Sequence, residues 1–274
     1  MPTSPTGSPT KPILEATLFC FVFTGLFILF SFAKSFVPAA YERAAHGIVG
    51  TLVALLSTYI FLKVDKKSFA DIGLRFENNT LQKFAVGVLL GLVLMGVLTF
   101  AAITMGGFRM ESNTNSSVLS FLLLTAPLIP LAFMEELGFR AYPLVLLQDK
   151  AGARVAILVT SVLFALYHVV NGWALQNAFL GAGVWGLIYG AAAVYGKGIA
   201  LPTGLHYAAN LCTSAFGINA EGSNLWVLTS ADGSSLETYQ SSPLEVLLPQ
   251  ISLLVLGIAA MEWVARKTPH SHPL

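Results

Sequence analysis

The stretch SSVLSFLLLTAPLIPLAFMEELGFRAYP, residues 116–143, decides how the rest of the chain is read. Residues 116–132 carry no charge at all, and Glu135, Glu136 and Arg140 then follow in quick succession. An uninterrupted apolar run of this kind belongs in an apolar solvent. Each charge near a bilayer centre costs about 2.5–3.5 kcal/mol on insertion scales. A membrane helix that carries three must recover that cost in partners or in chemistry.

Composition points the same way. The chain has 274 residues, 55% hydrophobic and 11% charged, with a mean hydropathy of +0.72. A soluble domain carries about 25% charged residues, so this chain is too poor in charge to cover a water-facing surface. The fold class expected is an all-α polytopic membrane protein. The net charge of +1 provides no field for nucleic acid, and the partner that composition implies is the lipid bilayer. Cys20 and Cys212 lie in separate apolar runs, form no CxxC pair, and read as packing residues.

Working outward, residues 1–12 (MPTSPTGSPTKP) read as a disordered tail. Apolar runs follow near 13–33, 44–64, 84–105, 118–147, 152–171, 173–195, 199–218 and 244–265, giving about eight spans. They group as a three-helix segment (13–105), a helical core (118–218), an extracytoplasmic loop (219–243) and a last helix (244–265). The first run is too long for a signal peptide, with no small-residue cleavage site after it. With eight spans and the N-terminus inside, twelve basic residues fall on the inner side and Lys34, Arg43 and Arg109 on the outer. That asymmetry predicts both termini in the cytoplasm. GAGVWG (181–186) has the G-x-G-x-x-G form but lies in an apolar helix with no preceding strand, so it predicts a packing face, as do Gly87 and Gly91.

Few ionisable groups remain deep in the spans: Glu135, Glu136 and Arg140 on the fourth, His168 on the fifth and His206 on the seventh, with Asn210 four residues later. His46 sits near a span end and His270 and His272 in the tail. The fourth and fifth spans form a hairpin turning near QDKAGAR (148–154). Glu135 and His168 are equidistant from that turn, each about 24 Å away, so they can face each other. Phe164 and His168 share a face at i and i+4, as do His206 and Asn210, and Glu136 and Arg140. The last pair predicts an ion pair that neutralises Glu136 and leaves Glu135 free for another partner.

Two chemistries remain open for this set. Glu135 and His168 could hold and deprotonate a water while His206 and Asn210 donate to an oxyanion. Glu135, His168 and His206 could instead be three ligands of a zinc ion with a fourth position for water. No HExxH, no GxSxG elbow and no pair of intramembrane aspartates is present. A proton-coupled transporter fits worse, because the sixth span has no Asp, Glu, Lys, Arg or His between Trp173 and Tyr195. A non-enzymatic scaffold would keep the same residues for stability.

The three motifs carry a resemblance. EELGFR (135–140) matches E-E-x-x-x-R, FALYH (164–168) matches F-x-x-x-H, and HYAAN (206–210) matches H-x-x-x-N. In this order they resemble the CAAX protease and bacteriocin-processing family (CPBP, or Abi), over roughly residues 118–215. FADIGLRF (69–76) is also similar to a recurring stretch in these proteins. The resemblance implies about eight membrane helices around a catalytic cavity, and an intramembrane endopeptidase, glutamate-dependent or metalloprotease. It implies that Glu135 and His168 activate water and that His206 and Asn210 form the oxyanion hole, with Glu136, Arg140 and Phe164 in support. Its substrates would be prenylated proteins or, in a bacterial plasma membrane, bacteriocin-like peptides. A bacteriocin-immunity role is the non-enzymatic alternative.

Overall fold

The computed structural model describes residues 10–105, 108–218, 224–229 and 243–268. The chain is helical almost throughout: α1 (Thr10–Ser31), α2 (Glu42–Val64), α3 (Thr80–Met105), α4 (Val118–Thr125), α5 (Leu128–Glu136), α6 (Tyr142–Ala151), α7 (Ala153–Val170), the single turn α8 (Leu175–Asn177), α9 (Val184–Gly196), α10 (Ala200–Ala215) and α11 (Pro243–Lys267). The described strands are β1 (Arg109–Ser112) and β2 (Trp226–Thr229), a short antiparallel pair with Arg109 opposite Thr229. Because α1 begins at Thr10, the last three residues read as tail are helical. Most of the 219–243 loop, with His270 and His272, lies outside the described residues.

Among the described residues, seven helical segments are long and apolar enough to cross a membrane. The expected span at 199–218 is present as α10, a helix of 16 residues. At 1.5 Å per residue it is about 24 Å long, short of a full crossing. It lies against α3, α5 and α9, which spare it from meeting the lipid along its whole length. Polarity is inverted relative to a soluble protein. Glu136 and Arg140 are 0% and 1% exposed, whereas Leu119 and Leu123 are 69% and 67% exposed. The protein is an integral membrane protein that buries the charges of its fourth span and turns leucines such as Leu119 and Leu123 outward.

The fourth span is not one smooth helix. Pro127 and Pro130 break α4 from α5, and residues Leu137–Ala141 form a π-helical turn before α6. Pro143 explains the wide turn, since it has no N–H for the Phe139 carbonyl and its ring would clash with that carbonyl in a regular helix. The α6–α7 hairpin turns at Gly152, whose φ of +87° suits a residue without a Cβ.

Glycines set the helix spacing as expected. A Cβ on Gly87 would strike the Leu201 carbonyl, and one on Gly204 the Phe84 carbonyl, so α3 and α10 meet backbone to backbone. In GAGVWG, a Cβ on Gly183 would come 3.3 Å from Ala165 Cβ and one on Gly186 3.1 Å from Ser161. The motif is a packing face of α9 against α7.

Candidate active site

Three helices bring the motif residues together. Glu135 and Glu136 end α5, His168 lies near the end of α7, and His206 is central in α10. His206 stands between the two carboxylates. Its Nδ1 donates to Glu136 Oε1 at 2.8 Å, and its Nε2 is 3.4 Å from Glu135 Oε2. All three side chains are buried. Tyr189 of α9 stacks on the His206 ring with centroids 4.4 Å apart and planes 16° apart. Phe164 meets the ring edge-on at 6.0 Å.

Glu136 also faces Arg140, as the i, i+4 spacing predicted, with Nε to Oε2 at 3.5 Å. The contact is an ion pair too loose to count as a hydrogen bond. Glu136 Oε2 and the Arg140 Nε and Nη1 lack hydrogen-bond partners, and Nη2 donates to the Gly186 carbonyl at 3.4 Å. The guanidinium lies over the Phe164 ring at 4.2 Å and is 5.6 Å from the Tyr189 ring centroid. It therefore touches the α5 end, α7 and α9 at once, and a charge so enclosed is stabilised by its carboxylate and by the ring faces.

His168 is half-buried and has its own setting. Its Nδ1 is 2.9 Å from the Phe164 carbonyl, which can only accept, so the proton is on Nδ1 and Nε2 is left as an acceptor. Phe164 at 4.5 Å and Trp173 at 4.6 Å hold the ring edge-on. The expected facing of Glu135 and His168 is not a direct contact. Glu135 reaches His206 instead, and Phe164, which touches both imidazoles, is what joins His168 to the cluster. Asn210, one turn beyond His206, is half-buried and makes no side-chain hydrogen bond among the described residues. His46 lies apart, 3.0 Å from Lys34 Nζ.

Sequence spacing missed the second oxygen of Glu136, Tyr189 and Trp173. Tyr189 carried a faint signal, one turn after Trp185 on a helix rich in Gly and Ala; the two rings stack at 5.6 Å. No three His, Cys, Asp or Glu side chains among the described residues are grouped to hold a metal ion. His168 does not reach the Glu135–His206 contact, so the three expected zinc ligands are not grouped, and no step below runs through a metal.

Among curated proteins, none matches the chain. A family model does: residues 115–212 match the type II CAAX prenyl endopeptidase Rce1-like family. That segment runs from before α4 to within α10 and contains Glu135, Glu136, Arg140, Phe164, His168, His206 and Asn210. The match supports a membrane CAAX-type endopeptidase in general, and the family to which the three motifs pointed is the one that the comparison returns.

Proposed function

We propose that the protein is an intramembrane endopeptidase whose base is Glu135. The observation that carries the reading is the buried Glu135–His206–Glu136 contact, backed by a second imidazole across Phe164. A water held between Glu135 and His168 Nε2 would lose a proton to the Glu135 carboxylate, and the hydroxide would attack the scissile carbonyl carbon. The oxyanion would receive hydrogen bonds from the free Asn210 amide and, in the imidazolium form in which both ring nitrogens donate, from His206 Nε2–H. Glu136 would keep His206 in place through Nδ1, and Arg140 would hold Glu136. Glu135 would return its proton to the leaving amine, so that water is divided between the two products. The substrate is a protein or peptide that reaches the site from the bilayer, prenylated or bacteriocin-like. Zinc is not required by this scheme. By the basic-residue asymmetry, both termini face the cytoplasm; a bacterial plasma membrane is the location that goes with a bacteriocin-like substrate.

The test is cleavage of a prenylated CAAX peptide and its unprenylated twin by purified protein in lipid. Glu135→Gln should lower kcat by a factor of about 10²–10⁴ at normal abundance. Parent-like turnover in that variant would refute the base. Loss of folded protein with no parental cleavage of either peptide would favour the scaffold or immunity reading.

A further inference from the structure

Beside the candidate site lies a cavity of about 590 Å³ that the mechanism does not use. It opens between α3, at Thr80 and Phe84, and α5, at Ile129 and Phe133, over the first turn of α10 at Thr203. Its walls are almost wholly apolar, and its size is that of a small-ligand site. The charged residues that line it are Arg75, Glu77, Lys83 and Lys197, at one end of the cavity beside the start of α3 and the end of α9. These four occupy helix ends: Arg75 and Glu77 just before α3, Lys83 in its first turns, and Lys197 as the left-handed cap of α9 at φ 54°. This end is therefore at head-group level. Tyr195 and Trp263, with Lys267 over the Trp263 ring at 4.2 Å, mark the same level on the neighbouring helices.

The charges do not cancel. Glu77 takes Arg75 Nε at 2.7 Å and Lys83 Nζ at 2.9 Å. Hydrogen bonds from Lys83 first, then Arg75, hold its carboxyl below the usual range, so it stays ionised. That leaves one positive charge over, and exposed Lys197 adds another with no ion pair among the described residues. An apolar slot that ends in a net positive rim at phosphate depth matches one ligand class.

We propose that this cavity is a binding site for an anionic phospholipid, one acyl chain between α3 and α5 and the phosphate among Arg75, Lys83 and Lys197. The tail would reach Phe133, three residues from Glu136, so the lipid would lie along the wall of the candidate site. The proposal does not draw on the peptidase reading.

Native mass spectrometry of the full chain in detergent, titrated with phosphatidylglycerol, with phosphatidylcholine of the same acyl chains and with glycerol phosphate, tests it. Phosphatidylglycerol should bind at least about fivefold more tightly than phosphatidylcholine, and glycerol phosphate far more weakly than either. Lys83→Gln and Lys197→Gln should each weaken phosphatidylglycerol about fivefold, and Glu77→Gln should tighten it by a similar factor, with phosphatidylcholine unmoved. Ile129→Trp should weaken both lipids by filling the slot. Unfolding midpoints of the variants report that they are folded. Equal affinity for the two lipids, a bare phosphate as good as the lipid, or weakening by Glu77→Gln would overturn the proposal.

Discussion

The two oxygens of one carboxylate do separate jobs at Glu136. Oε1 fixes His206 and Oε2 faces Arg140. Helical spacing exposed the second relation but not the first, since the i, i+4 rule describes neighbours on one helix and is silent about a partner 70 positions away. It also placed Glu135 and His168 at one height without fixing which side chain each would touch. Removing one member of the buried pair should be costly. Arg140→Leu leaves the buried Glu136 without its cation and should destabilise by about 3–5 kcal/mol. The double variant Glu136→Leu/Arg140→Leu should recover part of that loss, which a double-mutant cycle of unfolding in detergent would measure. Tyr189→Phe keeps the stack on His206 and should unfold like the parent. Tyr189→Leu should lose about 0.5–1.5 kcal/mol beyond its lost area.

Helices and turns were more legible than their pairings. The α6–α7 hairpin turns where its sequence predicted, because a Gly between polar residues leaves little choice. The small-residue faces of α3 and α9 were likewise readable. Gly204, the counterpart of Gly87, was not, for one glycine in GLHYAAN gives no period. Gly204→Leu should separate α3 from α10 and cost more than the 1–3 kcal/mol usual for overpacking, because the obstacle is the Phe84 backbone. A lower unfolding midpoint in detergent is the readout. The π turn at 137–141 also escaped the periodicity, although Pro143 was there to announce it. Outside the membrane, Asp71 closes a capping box on the turn Phe69–Ile72, accepting from the Ser68 N–H and hydroxyl, each at 2.7 Å. Those hydrogen bonds, the backbone one first, hold its carboxyl below the usual range. The box is therefore intact at neutral pH and weakens as pH falls through the folded value, below the unfolded one near ~3.9. Amide exchange over residues 68–73 should accelerate relative to the loop's intrinsic rate in that window, and Asp71→Asn should abolish the pH dependence.

For the molecule as a whole, composition alone dictated membrane embedding, and the inverted polarity bears it out. The number of crossings was less direct, since α10 is too short to satisfy a length criterion and is recognisable as a bundle member only through its neighbours. Orientation rests on the basic-residue count. A fluorescent protein fused after Leu274 should be bright and alkaline phosphatase at the same position inactive; the reverse result would invert the topology. Arg140 carries a further consequence, for biogenesis. Its guanidinium rests on α9 through Gly186 and Tyr189, and Glu136 waits for His206 on α10. While the ribosome has delivered only the first five spans, an arginine and two glutamates sit in the translocon's lipid-facing exit with half their partners still unsynthesised. The early hairpins must wait, sheltered or partly withdrawn, until α9 and α10 emerge. Chains truncated and released after residue 172 should therefore be degraded rapidly, and chains truncated after residue 218 should persist.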